Sequence, residues 1–252
     1  IIAVKIKSIK AIAVNLSPNP KTQPRVELDA NGGYFVSPMD RYKYDIKYRS
    51  GTNWNRVACV VTAEDGTWGL GTTIHSGPVV SIINDHFSEL LVGQNPMATE
   101  KLWDMMRRSS SPYGTAGVAS YAISALDNAI WDLKGKLLEK PVYELLGGPV
   151  KDDIFCYASN TMLRYKTSDY MDWFLELGFK AVKVFLRHGP DEGLAGLNKN
   201  VEIVANAREQ IGPDIELAVD SWMSSNIEYA VRVSEALKPY NIKWLEDYML
   251  PE

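Results

Sequence analysis

The sequence predicts an α+β domain followed by alternating strands and helices of a parallel sheet, the repeating unit of a TIM barrel or an open doubly wound sheet. Three observations lead there. Three strand patterns precede three helical patterns in residues 1–148, Gly147-Gly148 breaks the rhythm, and strand and helix then alternate through residues 149–252.

In the first part, Lys5 to Leu16 alternates apolar and polar side chains as a half-buried strand does. An irregular segment from Val26 to Arg49 follows, with Tyr34, Tyr42, Tyr44 and Tyr48 in it. Arg56 to Ala63 and Thr67 to Thr73 flank Asp65-Gly66, a hairpin signal because Gly readily takes the positive φ such turns need. Helices are expected over Val79 to Val92, after Pro78; over Thr99 to Arg108, with Thr99 as N-cap; and over Gly117 to Leu138.

In the second part, strands are expected at Ile154 to Ser159, Lys180 to Leu186, Ile215 to Asp220 and Ile242 to Glu246. Helices fall at Thr167 to Leu177, Leu197 to Ile211 and Asn226 to Leu237. A closed (β/α)₈ barrel takes about 250 residues, and Lys151 to Glu252 supplies roughly 100. Four parallel strands with two open edges invite aggregation, so the polypeptide is expected to continue past the fourth strand.

Asp220 and Glu246 each close a predicted parallel strand, about one βα unit apart. Parallel α/β sheets bind ligands beyond the carboxyl ends of their strands, and two hard oxygen ligands converging there suit Mg²⁺. Lys183 lies in the second strand, with Val182 and Val184 on the opposite face, so it can point inward as a base or a stabiliser of negative charge. Spacing alone leaves open that the acids cap the following helices and that Lys183 snorkels to the surface.

A longer pattern adds to this. Ala122-Ile-Ser-Ala-Leu-Asp-Asn-Ala-Ile-Trp-Asp-Leu-Lys-Gly-Lys136, then Pro141-Val-Tyr-Glu-Leu-Leu-Gly-Gly148, resembles the signature of the mandelate racemase branch of the enolase superfamily. Its small residues Ala122, Ser124, Ala125 and Ala129 permit close helix contact. Lys183-Val-Phe-Leu-Arg-His-Gly-Pro190, Asp220-Ser-Trp-Met-Ser224 and Lys243-Trp-Leu-Glu-Asp247 are similar to the L-rhamnonate dehydratases and related aldonate dehydratases.

The resemblance implies an α+β N-terminal capping domain followed by the first half of a TIM-type (β/α)₇β barrel, cut after the fourth barrel strand. It implies a Mg²⁺-dependent dehydratase that converts a sugar acid, through an enediolate, into a 2-keto-3-deoxy acid. Asp220 and Glu246 then match the first two metal ligands, and Lys183 and His188 are the catalytic candidates. Arg49, in the Tyr-rich segment, is the candidate grip on the substrate carboxylate. A third ligand and a His base are expected beyond Glu252.

The match has departures. Relatives commonly carry Lys-x-Lys on the second strand, whereas Phe185 follows Lys183-Val184 here, which argues against a two-base racemase. The first His is His75, after the hairpin, where rhamnonate dehydratases have an earlier one. A racemase, epimerase or cycloisomerase of the same superfamily, or a barrel fragment serving only as a binding module, remain the competing readings.

Of the other histidines, His75 is expected to make a structural hydrogen bond and His86 to pack or face solvent. Cys59 and Cys156 are expected as buried free thiols. The chain has 252 residues, net charge −4, and no dense Lys/Arg block, so nothing points to nucleic acid or an anionic membrane. No run reaches the ~18 apolar residues of a membrane span, and Ile1 to Asn15 lacks a signal peptide's apolar core. A cytoplasmic homo-oligomer acting on a small molecule is the expectation.

Overall fold

Val57, Cys59, Val61 and Ala63 are buried while the residues between them are not, the period of two that makes one face of a strand apolar. In the computed structural model, which describes residues 4–15, 36–42, 54–159 and 167–251, this strand is the centre of a small antiparallel sheet. Its order is β1 (Ile6–Val14), β2 (Arg56–Ala63), β3 (Trp68–Thr73). The β2–β3 hairpin turns at Gly66, whose φ is +90°, as the Asp65-Gly66 pair predicts.

Residues 4–15 and 54–153 form one compact unit, and residues 36–42 and 154–251 form another. In the first unit the sheet carries α1 (Ser76–Ser81), a π-helical turn (Ile82–Phe87), α2 (Ser88–Leu91), α3 (Thr99–Ser109), α4 (Val118–Leu137) and the short α5 (Val142–Leu145). The π turn, which the sequence does not predict, sets Asn84 against the outer edge of β1. The Asn84 amide accepts from the Ala11 N–H at 2.8 Å and donates to the Ala11 carbonyl at 3.0 Å, so it covers an edge of β1 that no other strand among the described residues pairs with.

The signature helix α4 lies on β3, and the reason is local. Gly69 and Gly71 face Ala129 and Ala125, close enough that a Cβ on either glycine would overlap a helix carbonyl. Asp132 accepts the Leu70 N–H at 2.8 Å, and Lys136 donates to the Trp68 carbonyl at 3.0 Å, so α4 also satisfies the free edge of β3. Ala122, Ala125 and Ala129 are buried as expected, whereas Ser124 is exposed. Thr99 is the first buried residue of α3, with Ala98 in the cap position assigned to it from the sequence.

The second unit alternates β4 (Ala158–Ser159), α6 (Thr167–Glu176), β5 (Ala181–Phe185), α7 (Gly193–Ile211), β6 (Glu216–Asp220), α8 (Ile227–Leu237) and β7 (Ile242–Glu246). The four strands are parallel in sequence order, as half a barrel requires. Val182, Val184, Leu186, Leu217 and Val219 form one face and pack under Leu197, Val204 and Ile211 of α7 and Val233 and Leu237 of α8. The other face is left to Lys183, Phe185 and Asp220. Asn226 caps α8 by accepting the Tyr229 N–H at 2.8 Å.

Two expectations are corrected here. The strand predicted from Ile154 shrinks to Ala158–Ser159, with Ile154 80% and Phe155 64% exposed, because β4 has a single neighbour among the described residues. Cys156, expected buried, is exposed with them, while Cys59 is fully buried in the first core. Burial pushes the Cys59 thiol up to about 12, so it stays protonated and inert. Titration of the folded chain with an aromatic disulfide at pH 8 should therefore release one thiol equivalent quickly, from Cys156, and a second only after denaturation. Fast release of both would contradict the packing of β2. No helix among the described residues is long and apolar enough to cross a membrane.

Candidate active site

Register brings the site together. Phe185, Asp220 and Glu246 lie side by side at the carboxyl ends of β5, β6 and β7, since Phe185 pairs with Asp220 and Asp220 with Glu246. The β6–β7 pairing shifts between Leu217 and Val219, so that Ile242 and Leu245 both pack in the core while Trp244 and Glu246 share the other face. Such irregularities re-aim side chains next to functional sites.

Lys183 reaches both acids. Its Nζ is 3.0 Å from Asp220 Oδ2 and 2.6 Å from Glu246 Oε1, and Lys183 and Asp220 are each only 5% exposed. The remaining carboxylate oxygens also have donors: the Trp222 N–H gives 2.8 Å to Asp220 Oδ1, and Trp244 Nε1 gives 2.9 Å to Glu246 Oε2. Tyr157 and Phe185 place their rings 5.6 and 5.4 Å from the ammonium. Three charges thus share one small polar face, each oriented by a second group.

The electrostatics follow from depth. Burial raises the Asp220 carboxyl above its usual range, and the hydrogen bonds from Trp222 and Lys183 offset only part of that. Burial also acts on Glu246, but hydrogen bonds from Lys183 and Trp244 outweigh it and hold that carboxyl low. For Lys183, desolvation is the largest single influence and lowers its pKa, yet the two carboxylates together carry it above its ordinary value. The ammonium is therefore charged at neutral pH.

The backbone around these groups is unusual. Trp222 (φ 37°) and Met223 (φ 57°) follow β6 in left-handed conformations, and Asp247 (φ 42°) does so after β7. The Met223 N–H donates to the Asp247 carbonyl and the Ser221 N–H to the Glu246 carbonyl, so the two turns hold one another. Strain of this kind persists where surroundings over-determine it, and it clusters at functional sites.

A divalent cation fits the two acids. Their oxygens already converge on one positive charge, and hard carboxylate oxygens at a strand-end mouth are the donors Mg²⁺ takes, commonly one or two with water and substrate completing the shell. Among the described residues no third acidic, histidine or cysteine side chain joins them.

The other candidates are placed differently. His188, just beyond β5, pairs its Nδ1 with Glu192 Oε2 at 2.8 Å and not with either strand-end acid. Arg49, with Tyr34, Tyr44 and Tyr48, lies outside the described residues. The His75 carbonyl accepts the Val79 N–H at 3.2 Å, and its ring stands edge-on between Trp54 and Tyr121, with centroids at 5.9 and 4.7 Å. His86 meets solvent and the Tyr113 hydroxyl at 2.8 Å. Sequence reasoning missed Trp244 and Trp222. Trp244 was within reach of the period-two rule, being two residues before Glu246 on one face; the Trp222 contact is made by its backbone and had no side-chain signal.

This fold and this constellation define an enolase-type protein. Residues 42–147 match the model of the mandelate racemase/muconate lactonizing enzyme N-terminal domain, and residues 168–252 match the enolase C-terminal domain-like model. The chain belongs to this family of the enolase superfamily. It is 36% identical over 252 residues to an L-rhamnonate dehydratase of Saccharopolyspora erythraea, an alignment covering 99% of this chain and 62% of that protein. Among solved structures it is similar to the rhamnonate dehydratase of Gibberella zeae complexed with Mg (TM-score 0.82, 31% identity, 98% of this chain and 60% of that one). It is also similar to the 3,6-anhydro-D-galactonate cycloisomerase of Zobellia galactanivorans (TM-score 0.71, 29% identity, 98% and 59%). The chain thus spans about three fifths of these relatives' length.

Proposed function

We propose that the whole protein is a Mg²⁺-dependent hydro-lyase that dehydrates a sugar acid to a 2-keto-3-deoxy acid. The observation that carries the proposal is the convergence of Asp220 and Glu246 on Lys183 at the carboxyl ends of adjacent parallel strands. Asp220 and Glu246 would hold the cation, which when bound supplies Lewis-acid stabilisation of a substrate carboxylate. The resemblance to rhamnonate dehydratases narrows the reaction class.

Loss of a proton α to a carboxylate builds negative charge on a group already anionic. Lys183, charged and desolvated, is placed to hold that charge by electrostatic attraction. Dehydration then breaks the C2–H and C3–O bonds: a base takes the C2 proton, and the C3 hydroxyl leaves as water with a proton from an acid. The resulting enol tautomerises to the 2-keto acid. His188 is the candidate for a substrate or acid contact in this chain, and Arg49 for the carboxylate grip. Phe185 stands where a second strand-two lysine would serve a two-base racemase, and its ring faces the Lys183 ammonium. That favours dehydration over racemisation.

The test is a panel of aldonates, L-rhamnonate included, incubated with full-length protein and Mg²⁺, with semicarbazide detection of a 2-keto acid. At least one acid should give product, and EDTA should stop the reaction until Mg²⁺ is restored. Inversion at C2 without keto-acid formation would replace this reading with an epimerase, and no turnover at all would leave a binding module.

A further inference from the structure

Asn200 is the most anomalous residue in the second core. It lies on the buried stripe of α7 between Leu197 and Val204 and is 0% exposed. Placing an amide there costs free energy unless every polar atom is satisfied, and an apolar side chain would serve packing alone. All of its bonds are made, and nearly all go to one place. Oδ1 accepts the Arg187 N–H at 3.1 Å and the His188 N–H at 3.2 Å, while Nδ2 donates to the His188 carbonyl at 2.7 Å.

Tyr229 of α8 completes the arrangement. Its hydroxyl accepts from Asn200 Nδ2 at 3.2 Å and donates to the same His188 carbonyl at 3.2 Å. The amide and the carbonyl of His188 are therefore both fixed, by buried side chains on two successive helices. Two residues earlier, the Leu186 N–H donates to the Asp220 carbonyl at 2.9 Å, which ties this loop to the strand that carries a strand-end acid. The His188 ring is then oriented by Glu192, whose Oε2 lies 2.8 Å from Nδ1.

Resting on the dehydratase reading, we infer that Asn200 and Tyr229 are positioning residues: they lock the Arg187–His188 main chain so that the His188 imidazole is held at the substrate end of β5. Neither touches substrate; both act through His188.

Two measurements on the full-length protein test this. The first needs no activity. Amide exchange at Arg187 and His188 should be slow in the wild type and roughly 100-fold faster in Asn200→Leu, with β5 and β6 still protected. Unchanged exchange would overturn the geometry whatever the enzyme does. The second uses the aldonate turned over fastest in the panel. Tyr229→Phe and Asn200→Leu should each lower kcat roughly 10- to 100-fold with KM little changed, as a displaced group does. In a His188→Gln background the same substitutions should have no further effect on kcat, because their route is already cut.

Multiplicative losses in the double variants would make the pair merely structural and overturn the inference. Should Asn200→Leu fail to fold, Tyr229→Phe, which removes one hydroxyl, carries the cycle alone. Wild-type kinetics in His188→Gln beside a dead Asp220→Asn would sink the inference and leave the dehydratase standing. Wild-type protein inert towards every acid would sink both.

Discussion

Asp220→Asn in the full-length protein is expected to lower kcat/KM for its sugar acid by at least about 10³-fold while the chain stays folded. A Lewis acid at a carboxylate contributes several kcal/mol, and each 1.4 kcal/mol is tenfold in rate. The substitution keeps the shape, and Asn Oδ1 can still accept the Trp222 N–H that now binds Asp220 at 2.8 Å. What goes is the charge that faces Lys183 at 3.0 Å. Burial already raises the Asp220 carboxyl, so the native fold bears a desolvation penalty that a neutral amide avoids. That relief offsets part of the lost ion pair, and Lys183 keeps Glu246 at 2.6 Å. Folding should thus suffer much less than turnover. Calorimetric titration with Mg²⁺ gives a second readout: binding should weaken in Asp220→Asn and in Glu246→Gln alike. Near-normal turnover with near-normal Mg²⁺ affinity in either variant would remove both acids from the metal assignment.

How far the sequence reaches differs between strand ends and everything built around them. β7 spans Ile242–Glu246 as periodicity predicts, and β5 and β6 differ from expectation only at their ends. Parallel strands are short, apolar and bounded by turns, so their carboxyl ends, and hence Lys183, Asp220 and Glu246, could be placed before any coordinates. Apolarity misled at Ile154 and Phe155, where it implied a strand that is largely exposed among the described residues. Apolar character signals that a side chain belongs against something, but not what that something is. Asn200 shows the reverse failure. An Asn within a helix reads as a solvent-facing residue, and only the tertiary meeting of α7, α8 and the loop after β5 makes it a buried hub. The π turn at Ile82–Phe87 and the left-handed Trp222 and Met223 were equally silent, since no residue there is a glycine that would announce unusual backbone. The ring packing of His75 was silent for a related reason: its partners come from distant parts of the chain.

Gly71→Ala is expected to destabilise the first unit by about 3 kcal/mol or more, at or above the upper end of overpacking costs. The added methyl would overlap the Ala125 carbonyl oxygen, and its next neighbours are the Ala125 carbonyl carbon and the Ala129 nitrogen. All three are helix backbone, so no rotamer change can make room, and β3 and α4 must separate. Separation would stretch the Leu70 N–H to Asp132 bond and the Lys136 bond to the Trp68 carbonyl, so the methyl also undoes the polar seam along that edge. Against the 5–15 kcal/mol that holds a typical domain, this is about a fifth to three fifths of the total. Two companion variants identify the cause. Ala125→Gly in the Gly71→Ala background should restore nothing, because the obstruction is the carbonyl and not the Ala125 methyl. Gly66→Asn, at φ +90° in the open hairpin with nothing within 4 Å of a new Cβ, should cost no more than about 1–2 kcal/mol, the strain of a left-handed residue. Thermal unfolding of the three variants checks this directly. If Gly71→Ala melts with the wild type, β3 and α4 are not as close as described, and the small residues of the signature helix serve some other purpose.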